Sequence, residues 1–208
     1  MKDYTSTPLE PQTVYHIYNH ANGSDNLFAG DDNYSFFMNR YKKYIVPIAD
    51  TFCYCLMPNH IHFLMRLKDE TALEEHFRKK YGGRYESAFR KFETFGKLAS
   101  KEFSNLFSSY ALAYNKQQER KGNLFMHKFK RRVVTSEKYL RKLVHYIHYN
   151  PVAHDFCEKP DDWKYSSYYA LLSQKTTLLK RDEVIEWFHD AENFIFCHRH
   201  PPDLSGID

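Results

Sequence analysis

This 208-residue chain lacks the marks of a membrane protein, a disulfide scaffold or a strongly charged polymer-binding tail. No apolar run approaches the roughly 18 residues that a spanning helix needs. Met1-Lys2-Asp3-Tyr4 carries no apolar leader region. Cysteine is scarce: Cys53, Cys55, Cys157 and Cys197 form no Cys-x-x-Cys pair, and Cys53 and Cys55 share one strand face, where they cannot readily bridge each other. A reduced, cytoplasmic protein without membrane contact is the expectation. The formal net charge is only +4, which permits a polyanionic partner without demanding one. No internal repeat or low-complexity segment occurs, so the length fits one domain with appendages and a real core.

What the chain has in quantity is aromatic residues, 17% of the total, more than a core of this size needs. Some are therefore available to stack on unpaired bases. Periodicity predicts an α+β order. A first strand covers 12–20. A helix capped by Asp31 or Asp32 carries Tyr34, Phe37, Met38, Tyr41 and Ile45 on its apolar face. Strands run from Thr51 to Pro58 and from His60 to Leu67, followed by a charged helix from Thr71 to Tyr81 that ends at Gly82-Gly83. A long helix covers Leu98 to Gln118, with Phe103, Leu106, Phe107, Tyr110 and Tyr114 as its buried stripe, and a strand covers Leu124 to Thr135. Early strands with irregularly placed helices argue against a doubly wound sheet.

Two segments carry chemistry. In Leu56-Met57-Pro58-Asn59-His60-Ile61-His62-Phe63, strand alternation sends His60 and His62 to one face and Ile61 and Phe63 to the other. Two imidazoles on one spot suit a metal ion; the plainer alternative is a pair of half-buried histidines with local hydrogen bonds. The second segment is the helix from Tyr139 to Asn150. Leu140, Leu143, Val144 and Ile147 form its apolar stripe, Thr135-Ser136-Glu137 supplies the N-terminal cap, and Pro151 is expected to stop it with Asn150 at the frayed end. Tyr146 and Asn150, four apart, stand one above the other. They can serve as a nucleophile and a further ligand, or as the amphipathic edge of a core helix.

Together these segments resemble the one-tyrosine HUH transposases, and specifically the REP-associated tyrosine transposase branch. Met57-Pro58-Asn59-His60-Ile61-His62 is similar to the Met-Pro-Asn-His-hydrophobic-His signature, and Tyr146-Ile147-His148-Tyr149-Asn150-Pro151-Val152 to Tyr-Ile-x-x-Asn-Pro-Val. Val14-Tyr15-His16-Ile17-Tyr18-Asn19 resembles the first strand. Gly122-Asn123-Leu124-Phe125 with Lys128-Phe129-Lys130 resembles Gly-x-Leu-Phe-x-x-Arg-(Phe/Tyr)-Lys, Lys128 replacing the arginine and losing its bidentate fork. Trp163 to Tyr168 resembles the Trp-x-x-Ser-Ser-Tyr tail. The likeness runs from about Val14 to Tyr168. It implies a ferredoxin-like antiparallel sheet with packed helices, the catalytic Tyr146 on a helix beside it, and Mg²⁺ or Mn²⁺ held by His60, His62 and Asn150. It further implies cleavage and rejoining of single-stranded DNA beside a hairpin through a 5′-phosphotyrosine, and it leaves open whether a homodimer shares the site.

The implied domain runs over residues 1–175 with a helical insertion at about 68–97, and 176–208 form a C-terminal helical extension. In the insertion Arg78, Lys79, Lys80, Arg84, Arg90 and Lys91 alternate with Phe77, Tyr81, Tyr85, Phe89 and Phe92, either as a solvated helical pair or as a nucleic-acid clamp. Lys128, Lys130, Arg131 and Arg132 abut the tyrosine helix and are the candidate phosphate contacts. The extension holds an amphipathic helix (Val184, Ile185, Trp187, Phe188), and Cys197-His198-Arg199-His200 completes no metal site of the usual spacing. Three functions compete: a tyrosine transposase, a catalytically silent nucleic-acid-binding protein on the same fold, and a hydrolase whose histidines activate water. The Tyr146/Asn150 pair argues against the third, since water activation needs no tyrosine.

Overall fold

A computed structural model describes residues 4–126, 128–203 and 205; Met1 to Asp3, read above for a leader, His127 and four residues of the extension lie outside them. Four strands, β1 (Val14–His20), β2 (Ala49–Leu56), β3 (His60–Leu67) and β4 (Lys130–Val133), form one sheet in the order β2-β3-β1-β4. Every neighbouring pair is antiparallel, which is the ferredoxin-like order. The helices are α1 (Asp31–Tyr44), α2 (Glu70–Tyr81), α3 (Tyr85–Phe92), α4 (Phe95–Gln117), α5 (Glu137–Ala153), α6 (Tyr168–Leu172), α7 (Arg181–Trp187) and α8 (Ala191–His198). Among the described residues no helix is long and apolar enough to cross a membrane.

The sheet separates two cores, and alternation decides which residue enters which. Tyr15, Ile17, Ile61, Phe63 and Met65 face α1 and α4, where they join Phe37, Tyr41, Phe103 and Tyr110. Cys53, Cys55 and Leu64 face the other way, against Leu143, Val144 and Ile147 of α5 and Val184, Phe188 and Phe194 of α7 and α8. Burying each large apolar side chain contributes roughly 1.5–3 kcal/mol. The register is therefore strongly held, because a one-residue slip would invert both faces.

Several local expectations differ from the structure. Gly30, without a side-chain bond, caps α1; Asp31 instead binds Lys164 and Tyr165. The predicted strand from Leu124 shrinks to the four residues of β4, because Leu124 and Phe129 anchor the preceding loop in the α4 core rather than alternating. Ser136 does cap α5, accepting from Tyr139 N, but Pro151 does not stop that helix. Proline removes only the bond to the Ile147 carbonyl. The following turn closes through His154 N to Asn150 O and Phe156 N to Pro151 O, and Asn150 and Pro151 are buried instead of frayed.

Both sheet edges are covered. Ser166 bridges Cys55 and Leu179 bridges Thr51 along the outer edge of β2, and Arg131 N donates to Tyr4 O beyond β4. Such covering suppresses edge-to-edge pairing. The α2–α3 pair is tied down as well. Lys80 pairs with the buried Glu102 of α4, Arg78 with Glu74 and Glu86, and Phe77 and Tyr85 are core residues. Phe77 and Tyr85 are consumed by packing, and Tyr81, Phe89 and Phe92 lie partly buried against the same core.

The N-terminal segment crosses α4 at Gly96. A Cβ there would lie 1.8 Å from the Leu9 carbonyl oxygen. Alanine is the better helix former by about 1 kcal/mol, but overpacking against rigid backbone costs about 1–3 kcal/mol or more. Gly96→Ala is therefore expected to be destabilising on balance, lowering the melting temperature by about 2–4 °C per kcal/mol lost. A melting temperature at or above that of the parent would contradict this packing.

Candidate DNA-cleavage site

Strand alternation and the β1–β3 register build the site. Tyr18 stands opposite His62 and His20 opposite His60, so the even-numbered side chains of both strands share the face that α5 covers. His60 and His62 lie there with ring centroids 5.0 Å apart, and Ile61 and Phe63 point into the opposite core. The apolar stripe of α5 lays that helix on the same face, which brings the Tyr146 ring to 5.6 Å from His62 and edge-on to it. Asn150, one turn on, places its Oδ1 2.8 Å from His60 Nε2. The structure thus brings His60, His62, Asn150 and Tyr146 together within one chain.

The imidazoles are neutral. Burial, reinforced by Arg132, lowers His16 to about 3; burial lowers His60 to about 4 and pushes His62 well below the ordinary histidine value, with neighbouring histidines adding to the effect. A neutral ring has one N–H, and its neighbours decide where that proton sits. Asn59 Oδ1, an acceptor, lies 2.7 Å from His60 Nδ1. With the proton on Nδ1, the lone pair of His60 Nε2 faces the lone pairs of Asn150 Oδ1. His62 Nδ1 lies 2.9 Å from His16 Nε2, and a donor role there leaves His62 Nε2 as a second lone pair. In that tautomer two imidazole nitrogens and an amide oxygen suit a divalent cation, each ring being oriented by an outer hydrogen bond; in the other, His60 Nε2–H donates to Asn150 Oδ1. Among the described residues no three His, Cys, Asp or Glu side chains converge as a metal cluster; this donor set differs in using an amide.

Tyr146 is half-buried, and burial raises its phenol above the ordinary value, while a hydrogen bond from Asn150 works in the opposite direction. The protein groups alone therefore do not make a phenolate.

The four basic candidates divide between the two faces of the sheet. Lys130 and Arg132 stand opposite Tyr18 and His16 and share the histidine face, Lys130 lying 5.6 Å from the Tyr18 ring centroid and Arg132 lying over Tyr139 and Tyr4. Arg131 points to the other face, where it donates to Ser100 Oγ and Thr5 O. With the exposed Lys128 it lines a groove of about 990 Å³ beside α4, away from Tyr146. Sequence reasoning assigned no role to His16, Tyr18, His20 or His154. His20 stacks on His60 at 5.0 Å, and His154 lies 5.2 Å from the same ring. The His16-Tyr18-His20 alternation was the available signal, but only the register places it beside β3.

The fold has a known counterpart. A Haemophilus influenzae protein bearing the REP-associated tyrosine transposase name is 27% identical over 120 residues, which is 58% of this chain and 59% of that protein. A solved REP-associated tyrosine transposase, bound to a REP hairpin, superposes with a TM-score of 0.57 at 15% identity, covering 84% of this chain and 87% of that one. Over the 120-residue stretch the chain is similar to the REP-associated tyrosine transposases. It spans 59% of the length of the Haemophilus relative it matches, and the solved structure, at its low identity, establishes the shared fold alone. No protein-family model matches the chain.

Proposed function

We propose that the protein cleaves and rejoins single-stranded DNA beside a hairpin, with Tyr146 as the nucleophile. The observation that carries this reading is the convergence of Tyr146 and Asn150, from one helix, on two neutral imidazoles from one strand. Tyr146 Oη forms a bond to phosphorus and gives up its proton, the phosphorus–O3′ bond breaks, and the departing oxygen takes up a proton to become a 3′-hydroxyl. The DNA 5′-phosphate remains joined to tyrosine. Because one phosphodiester replaces another, rejoining is the reverse reaction and needs no nucleotide cofactor. His60, His62 and Asn150 would hold Mg²⁺ or Mn²⁺. When bound, such a cation favours the phenolate and polarises the phosphate. Asn150 orients the phenol, and Asn59 and His16 orient the two rings. No second copy is needed to bring Tyr146 to the histidines.

Lys130 and Arg132 extend the site along β4, beside rings on which bases can stack. If they neutralise phosphates, log affinity for single-stranded DNA falls with log salt by about 0.7 per contact. Lys130→Ala with Arg132→Ala is expected to flatten that slope by roughly 1.4 while hairpin preference survives, because phosphate contacts position and base contacts specify. Arg131→Ala is expected to lower stability rather than the slope. An unchanged slope in the double variant would show a plain solvated edge and move the DNA path elsewhere. The reaction itself is tested by incubating the protein with hairpin-bearing single-stranded DNA and Mn²⁺: a protein–DNA adduct that survives denaturation is expected, and its absence at full cation and DNA occupancy would remove the transposase reading.

A further inference from the structure

The C-terminal residues from 176 carry none of the motifs read in the sequence, yet they are stitched to the tyrosine helix turn by turn. Arg141 donates to Trp187 O at 3.5 Å, Lys142 pairs with Asp203 and binds Ser205 Oγ at 2.8 Å, and His145 Nε2 contacts His200 O at 2.8 Å. One turn further on, His148 Nδ1 and His198 Nε2 lie 3.0 Å apart, with 0% and 1% of these residues exposed.

The proton positions in this buried pair are determined. His198 Nδ1 lies 2.7 Å from the Phe194 carbonyl, which can only accept, so Nδ1 carries the proton and Nε2 accepts. His148 Nδ1–H then donates to His198, which leaves His148 Nε2 to accept from the Ser167 hydroxyl at 2.7 Å, the hydroxyl's other acceptor, Tyr54 O, lying farther off at 3.2 Å. Ser167 Oγ accepts in turn from Tyr54 N at 2.8 Å. One directional chain of hydrogen bonds therefore runs from the backbone of β2, through α5, to the backbone of α8.

The apolar stripe of α5 selects the face that meets the sheet, but the hydrophobic effect itself is non-directional and leaves the fine rotation to other contacts. Directional bonds on the outer side can fix the rotation. The turn that carries Asn150 needs such support, because Pro151 leaves the Ile147 carbonyl without its helical donor. His148 lies two residues from both Tyr146 and Asn150.

We propose that α8 is a positioning element of the cleavage site: the His148–His198 pair fixes the rotation of α5 and thereby holds Tyr146 and Asn150 against His60 and His62. The proposal rests on the reading of Tyr146 as nucleophile. Its test combines an activity arm with a structural arm that is independent of activity. His198→Leu fills the space but cannot accept from His148. His198→Gln offers an amide oxygen in place of Nε2.

In His198→Leu, the amides of 144–150 are expected to exchange hydrogen faster while those of β3 stay protected. The adduct rate falls by about ten- to a hundredfold, the cost of misplacing a nucleophile by up to about 1 Å, with hairpin affinity unchanged. His198→Gln recovers both. Parent-like exchange and rate in His198→Leu would overturn the proposal. So would a loss of affinity in step with rate, or a defect that His198→Gln does not relieve. Should His198→Leu not fold, Lys142→Ala with His145→Ala loosens the same seam at its exposed rim. A smaller effect of the same kind is expected there, and none would count against the proposal. If the parent protein forms no adduct, the nucleophile reading fails and the exchange arm alone decides the brace.

Discussion

Replacing Tyr146 by phenylalanine eliminates the covalent protein–DNA product while folding and hairpin affinity persist. The substitution deletes one hydroxyl and keeps the ring that lies edge-on to His62 at 5.6 Å and to His16 at 6.3 Å. The lost hydrogen bond with Asn150 is worth about 0.5–1.5 kcal/mol, small beside a typical stability of about 5–15 kcal/mol. The chemical effect is of another order, because no phenylalanine can form the phosphoester. Denaturing electrophoresis of labelled DNA after incubation with each protein reads it directly. Normal cleavage by Tyr146→Phe would favour a hydrolase that activates water at His60 and His62.

The second large effect is acid lability. His16, His62, His148 and His198 are buried and neutral. Burial holds His16 and His198 at about 3 and the other two well below the ordinary value, with nearby charges adding to the shift. The unfolded chain takes up protons on these residues below about pH 6.5, and the folded protein does not. Stability is therefore complete above that pH and falls as the pH drops toward the folded values. Each ring contributes a slope approaching about 1.4 kcal/mol per pH unit. The four together remove on the order of 5 kcal/mol between pH 7.5 and pH 5.5, comparable with the whole stability of many domains. Melting temperatures measured by circular dichroism across that range should fall steeply, and less steeply for His198→Gln, which has one fewer buried ring. A flat profile down to pH 5 would mean that these rings are wetter than the structure places them.

Much of this site was legible because it depends on local periodicity. His60 and His62 share a face by the two-residue repeat of a strand, and Tyr146 and Asn150 by the four-residue spacing of a helix. What escaped depends on register and tertiary packing. His16, Tyr18 and His20 alternate as plainly as His60 and His62, but only the pairing of β1 with β3 makes them one cluster. Arg131 and Arg132 are adjacent in sequence and opposite in space; the alternation that separates them becomes usable only once β4 is known to be a strand. Pro151 misled because its local cost, one hydrogen bond, is outweighed by the burial of apolar side chains such as Val144 and Ile147. His198 read as inert because its partner lies 50 residues away, and only α8 folding back on α5 joins them.

The most direct test of the account is to locate the covalent bond. Adduct formed on hairpin-bearing single-stranded DNA with Mn²⁺ is digested with nuclease and trypsin, and the modified peptide is fragmented by mass spectrometry. The peptide that carries Tyr146 also carries Tyr149, so fragment ions must separate the two. The account predicts a nucleotide 5′-phosphate on Tyr146 and a free 3′-hydroxyl on the released DNA. A phosphoester on Tyr149 or another residue, or cleaved DNA with no modified peptide, would contradict it.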